Sequence, residues 1–283
     1  MSELTPDELK QAASSNKRTA DTPPAAIDAP TGPARMRPHG TTVQDKIAVL
    51  DPPFHPSPTL DERHVSNIDG YEEMQGYLAP ALNAMSVANE GLKSIDEAWK
   101  ALRKDTSKTA EQKALVIAPA AEKKQDAMLR AFSTAQENLG KAVEQINQEL
   151  DAPVVAAATA SPTNAELRTV LRGMKADERN ALIDKAIRDG DTQVVTCVLG
   201  VHPLITGVDP LRHQIWTRTW REKSAPDKVR RLNATKRAIE ILERATPVAL
   251  GQVEAAMRIK FSEVAKLKGM ADASSAALAK LAG

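Results

Sequence analysis

The chain has 283 residues, 42% of them hydrophobic but only 3% aromatic, so it has length for one large domain or two small ones and few side chains for one thick core. Its formal net charge of +1 excludes a strongly polycationic or polyanionic protein at the level of the whole chain. One cysteine excludes an internal disulfide framework, and no apolar run approaches the roughly 20 residues of a membrane span.

Charge is distributed unevenly. Residues 1–76 carry 7 Lys/Arg against 12 Asp/Glu, residues 77–152 carry 10 against 11, and residues 153–283 carry 21 against 14. An acidic start and a basic end suit head-to-tail self-association or a basic docking surface, and ordinary surface variation also produces such a gradient.

Residues 1–69 read as an extended arm and linker. Ten of the 18 prolines lie between Pro6 and Pro58, including Pro23-Pro24 and Pro52-Pro53. Each removes a backbone donor and fixes φ, so the stretch predicts neither a continuous helix nor an interior strand. A short helix is predicted over Pro6–Ala13, with Thr5 as N-cap and Glu8 at N3. The polar start, MSELTPDELK, has no apolar leader, so no secretory signal is expected.

Residues 70–151 predict a helical hairpin. Leu78, Leu82, Met85, Leu92, Ile95, Trp99 and Leu102 recur at helical intervals, with a phase slip near Asn89. The polar stretch Arg103–Thr109 makes the turn. Met128, Phe132, Ala135, Leu139, Ala142 and Ile146 then alternate steps of four and three, which is heptad spacing, widened by Val143 and Leu150. Pro119 predicts a kink or a fresh helix start. The small, proline-bracketed residues 152–163 read as an inter-domain linker.

Residues 164–283 predict a domain of several helices. Helices are expected over Asn164–Met174, Ala176–Arg188 and Thr192–Leu199, with Gly190 past the end of the second and Asp191 capping the third. Asp209-Pro210 places an N-cap before a proline at the first helical position, and Ala225-Pro226 and Thr246-Pro247 each open a further helix, so helices are predicted to Lys223, Ala245 and Lys268. A last alanine-rich helix is predicted over Ala271–Leu281. With no strand alternation anywhere, the fold class is all-α: an extended N-terminal arm, a long helical hairpin and a C-terminal multi-helix domain.

The chemistry expected of this sequence is sparse. It contains no phosphate-binding glycine loop, no dinucleotide fingerprint, no nucleophile elbow and no paired-histidine zinc helix. His39, His55, His64, His202 and His213 are scattered, so neither a metal nor a cofactor site is expected, and the chain is read as a non-enzyme without catalytic residues. Asp189-Gly190-Asp191 fits a helix junction better than a calcium loop, because no ligand series continues to a twelfth-position Glu. Cys197, flanked by valines and Leu199, reads as a small core residue.

The strongest candidate for binding is the stretch Arg212–Arg237, with nine Lys/Arg against two acids, Glu222 and Asp227. Arg212, Arg218, Arg221, Arg230, Arg231, Lys236 and Arg237 are the candidate nucleic-acid contacts, as cations for phosphates. Trp216 and Trp220, four apart, either stack bases beside them or pack into the core, the commoner fate of such a pair.

The order of a proline-rich arm, an alanine-rich hairpin and a small helical domain resembles structural proteins of tailed-phage virions. The stretch Ile187-Arg188-Asp189-Gly190-Asp191-Thr192-Gln193-Val194-Val195 through Leu199-Gly200, with Pro203-Leu204-Ile205-Thr206-Gly207, is similar to helical segments of phage proteins. The resemblance implies a minor capsid, connector or other virion component. It would act as a homo-oligomer with other assembly proteins, in a virion or the host cytoplasm and not in a membrane, its arm binding neighbouring subunits. The alternative is a scaffolding, internal or cytoplasmic protein that binds nucleic acid through residues 212–237.

Overall fold

The computed structural model describes residues 53–282, so the predicted helix over Pro6–Ala13 and most of the proline-rich stretch lie outside the described residues. Among the described residues the chain is all-α, without strands. A 3-10 turn, Pro58–Leu60, precedes ten helices: α1 (Arg63–Ser66), α2 (Tyr71–Lys104), α3 (Ala110–Ala160), α4 (Thr163–Gly173), α5 (Ala176–Asp189), α6 (Thr192–Leu199), α7 (Pro203–Thr206), α8 (Pro210–Ser224), α9 (Pro226–Met257) and α10 (Phe261–Ala282).

The hairpin forms where the apolar spacing places it. Its turn is set by local chemistry: Asp105 accepts from the Ser107 amide at 2.9 Å, and Lys108 and Ser107 hold its carboxyl well below the usual carboxylate range. Thr109 then opens α3 with a capping box, the Gln112 amide donating to Thr109 Oγ1 and the Thr109 amide to Gln112 Oε1. Met128, Phe132, Ala135, Leu139 and Ile146 are buried along the predicted seam, while Ala142 is only half-buried.

The third partner of this seam was not legible locally. Helix α9 lies against both α2 and α3, and the three form a bundle. Leu242, Val253 and Met257 of α9 share its core with Leu78, Met85 and Leu92 of α2 and with Phe132 of α3. Alanines fill the rest, including Ala88, Ala121, Ala238, Ala245 and Ala249. Small side chains bury little area each, so the core is thin and long, as the composition predicts.

Proline-based expectations are corrected at Pro153 and Pro247, and of the two options at Pro119 the fresh helix start falls away. Helix α3 runs 51 residues through both Pro119 and Pro153, and α9 runs through Pro247 instead of restarting at Thr246. A helical proline costs about 3 kcal/mol through its lost hydrogen bond and ring clash. Burial on both sides offsets that cost here, with Ala118 and Ala121 flanking Pro119, and Ala245 and Ala249 flanking Pro247. At Pro153 the freed carbonyl, that of Glu149, is approached by Lys228 Nζ of α9 at 3.5 Å. The predicted break within the C-terminal stretch falls instead at Arg258, after which α10 is one helix and not two segments.

The domain division is corrected as well. Residues 152–163 are not a linker, since α3 continues to Ala160. The small side chains there are a packing surface: Ala158 is buried, and Gly200 at the end of α6 lies so close that a Cβ on it would sit 2.4 Å from Ala158 Cβ. Helices α4 to α8 enclose a second core of Leu171, Ile183, Val195, Val198, Trp216 and Trp220, with Val154 of α3 packed against it. Because α3 enters this core and α9 returns to the bundle, residues 53–283 are one compact unit rather than a hairpin and a separate domain.

The arm boundary at residue 69 moves too. Leu60 and Val65 are fully buried against the bundle. The Ser57 amide donates to Gln252 Oε1 of α9 at 2.9 Å, and Asn89 Nδ2 of α2 donates to the Leu60 carbonyl at 2.6 Å. The Arg258 guanidinium lies 5.9 Å from the Phe54 ring centroid and 3.4 Å from buried Asp96, which also pairs with Lys100. Residues 53–69 thus form a strap over α2 and α9.

Candidate functional site

The basic stretch occupies α8 and the first half of α9. Asp209 starts α8 by accepting from the Leu211 and Arg212 amides at 3.0 and 3.1 Å, with Pro210 in the first turn. That start turns Trp216 and Trp220 inward, 4% and 9% exposed, and Trp216 Nε1 donates to Asp184 Oδ1 at 2.6 Å. The pair is core, which leaves no base-stacking platform on this helix.

The fold distributes six of the seven candidate cations over three grooves. The largest, about 770 Å³, lies between the end of α3, α8 and α9, and holds Arg218, Arg221 and Lys236 over Val154, Val229 and Leu232. A second, about 460 Å³, holds Arg230 and Arg237 with His64. Asn233 lines both, so the first turns of α9 form a ridge between them. Arg212 lines a third groove, about 560 Å³, beside α5. Arg231 lines none of them; it stacks on Tyr77 at 4.5 Å and donates to the Tyr77 hydroxyl at 3.0 Å.

Most of these charges are already matched. Arg218 pairs with Glu222 at 2.8 Å, Arg230 with Asp227 at 2.5 Å and Arg237 with Glu240 at 2.8 Å. Arg221 reaches across to α3, donating to Asp151 at 2.5 Å and to Asn147 at 3.1 Å. Lys223 donates to the Ile187 and Arg188 carbonyls that end α5, and Lys228 pairs with Glu149. Arg212 and Lys236 alone in the stretch make no such contact among the described residues. Exposed pairs are worth about 0–1 kcal/mol, so an anion could displace a carboxylate, yet the local field is far weaker than nine cations suggest.

Among the described residues, two buried nitrogens in the first groove make no hydrogen bond of good geometry, His213 Nε2, whose ring is approached only by the Val198 and Val201 backbone, and Arg221 Nε. Burial pushes the His213 imidazole below its usual pKa, an effect opposed by the Val198 and Val201 backbone and aided by His202. A histidine whose folded pKa is depressed binds protons more readily when unfolded. Its destabilising effect therefore begins as pH falls below the unfolded value near 6.5 and deepens toward the depressed folded value. Thermal melts should show stability falling as the pH drops through about 6.5 and below, and His213→Gln should flatten that limb. An unchanged slope in the variant would show that His213 does not carry it. The hydrogen-bonded carboxylates Asp61, Asp105 and Glu149, all held low, lose their contribution at more acid pH.

The remaining candidate chemistry resolves into structure. Cys197 is buried, its thiol pushed up by that burial, with Sγ 3.3 Å from the Asn164 carbonyl. Asp191 spends its carboxylate on the Gln193 and Val194 amides, and Gly190 ends α5 at φ 80°, so Asp189-Gly190-Asp191 is a helix junction. Among the described residues no group of three or more His, Cys, Asp or Glu could hold a metal ion, and no helix is long and apolar enough to cross a membrane. The sequence reading missed His64, His213 and Asn233 as groove residues, and the exposed pair Leu211 and Ile215. For that pair a signal existed, since they repeat at four residues beside the tryptophans.

No protein family matches this chain, and comparison with curated proteins and with solved structures finds no match.

Proposed function

We propose that the chain is a non-enzymatic assembly component that works as a homo-oligomer, its proline-rich residues 1–52 binding neighbouring subunits. The strap carries this reading. Residues 53–69 are tied to α2 and α9 by buried Leu60 and Val65 and by the Gln252 and Asn89 hydrogen bonds, so the segment to which residues 1–52 are joined is itself held against the bundle. A rooted segment delivers its sequence to a neighbour at high effective concentration, as a linked module does. The three-helix bundle supplies a rigid body for such contacts. The resemblance to tailed-phage virion proteins supports a minor capsid, connector or other virion component as the particular assembly. The nucleic-acid alternative draws less support, because four of the seven candidate cations sit in ion pairs with the chain's own carboxylates.

Deleting residues 1–52 separates assembly from folding. Mass photometry should show a defined oligomer for the full chain and a shift toward monomer for the truncated one, while the melting temperature stays within a few degrees. Both cores and the strap lie in residues 53–283. A full chain that is already monomeric would overturn the reading.

A further inference from the structure

We infer that the groove between α5 and α8 is the receiving surface of this assembly, and that it takes residues 43–51 of a neighbouring copy. The inference rests on the assembly reading and names the contact.

The groove has an apolar floor and sides. Ile187 of α5 and Trp216 of α8 are buried at its base, while Leu211 and Ile215 stand along it 66% and 55% exposed. On the preceding α7, Leu204 and Ile205 are 76% and 44% exposed. Single exposed aliphatics are ordinary, but such a concentration on adjoining helices marks a contact surface.

The rim is balanced in formal charge, Asp184 and Asp209 against Arg188 and Arg212, but uneven in hydrogen-bonding capacity. Asp184 is occupied by the Trp216 indole and Asp209 by the first amides of α8. The Arg188 and Arg212 side chains have no hydrogen bond or ion pair among the described residues. Apolar walls between two unmatched guanidinium groups fit an aliphatic segment that carries carboxylates.

Residues 1–52 contain one such segment. Of their nine Val, Ile, Leu and Met residues, four fall within 43–50: Val43, Ile47, Val49 and Leu50. Asp45 and Asp51 accompany them against a single Lys46, and the segment ends just before the strap. Its aliphatics would cover Leu211 and Ile215, and its carboxylates would meet Arg188 and Arg212.

Two full-length variants test this, Ile47→Cys and Ile215→Cys, with Cys197 left in place because it is buried. Mixed and treated with a short bismaleimide, they should give a cross-linked pair that neither variant gives alone. A cross-link by Ile215→Cys alone would mean that groove meets groove. A cross-link only within the doubly substituted chain would mean that each copy's own segment fills its groove. Either result overturns the inference. In parallel, Leu211→Asp with Ile215→Asp should weaken oligomerisation at least tenfold at an unchanged melting temperature, since both positions are exposed. If the oligomer survives that change and the mixture does not cross-link, the groove is wrong while the assembly reading stands. If the unsubstituted chain is monomeric, both fall.

Discussion

Replacing Gly200 by valine should lower the unfolding free energy by more than about 3 kcal/mol, and even alanine should cost about 2–3 kcal/mol. Gly200 has φ −82°, which any residue adopts, so backbone strain is not the reason. Space is. An added Cβ would lie 2.4 Å from Ala158 Cβ, 2.5 Å from the Val154 carbonyl oxygen and 2.8 Å from the Thr196 carbonyl oxygen. Two of those atoms are backbone, and one belongs to α3, which the three-helix bundle holds in place. Helix α6 must then retreat, opening the core around buried Val195, Cys197 and Val198. For a chain of this length, about 3 kcal/mol corresponds to roughly 6–12 °C in melting temperature. Gly91→Ala is the internal control. Its Cβ would meet only the Met128 side chain, with Sδ at 3.2 Å, and a thioether can turn aside. The helix-propensity gain of alanine over glycine, about 1 kcal/mol, should then leave that variant near neutral. If the two alanine variants melt alike, the close approach of α6 to α3 is wrong.

Phe132→Ala should cost about 3–5 kcal/mol, toward the upper end of that range. Phe132 is fully buried and leads the fully buried side chains in volume. Its surroundings explain the size of the effect. Cavities shrink when neighbouring large side chains relax into them, but this bundle is built heavily on alanine, which has no rotamers with which to do so. Helix backbones would have to move, and alanine contacts at Ala88, Ala135 and Ala238 already hold α2, α3 and α9 close. Phe132→Leu, which retains most of the volume, should lose markedly less. Chemical denaturation with an unchanged slope against denaturant would establish that the loss is one of stability and not of the unfolded state. A loss under about 1 kcal/mol would mean the seam is looser than the burial implies.

Local signals carried most of the helix map. Asp191 after Gly190 and Asp209-Pro210 each begin a helix where their side chains predict, because a cap acts within a turn of itself. The heptad steps from Met128 to Ile146 placed a buried face for the same reason. Proline was the unreliable signal. Pro119, Pro153 and Pro247 each carry a fixed local cost, and whether a helix continues depends on burial contributed by distant segments. Residues 152–160 show the ambiguity most clearly, since small residues suit a linker and a close helix contact equally well.

The candidate site was legible by residue and not by state. All seven cations could be picked out, but Arg221 finds Asp151 and Asn147 from 70 and 74 residues away, and Arg231 finds Tyr77 from 154. The two acids counted within the stretch became five once Asp151, Glu149 and Glu240 were in place.

Composition, periodicity and caps, which act over one to two turns, determined by themselves that this protein is helical and that its proline-rich residues differ from the rest. Only the tertiary structure decided that residues 53–69 strap the bundle, that hairpin and C-terminal helices share one unit, and that four of the seven candidate cations are matched by carboxylates. Those outcomes depend on side chains far apart in sequence, and no local pattern records which distant partner will lower the free energy most.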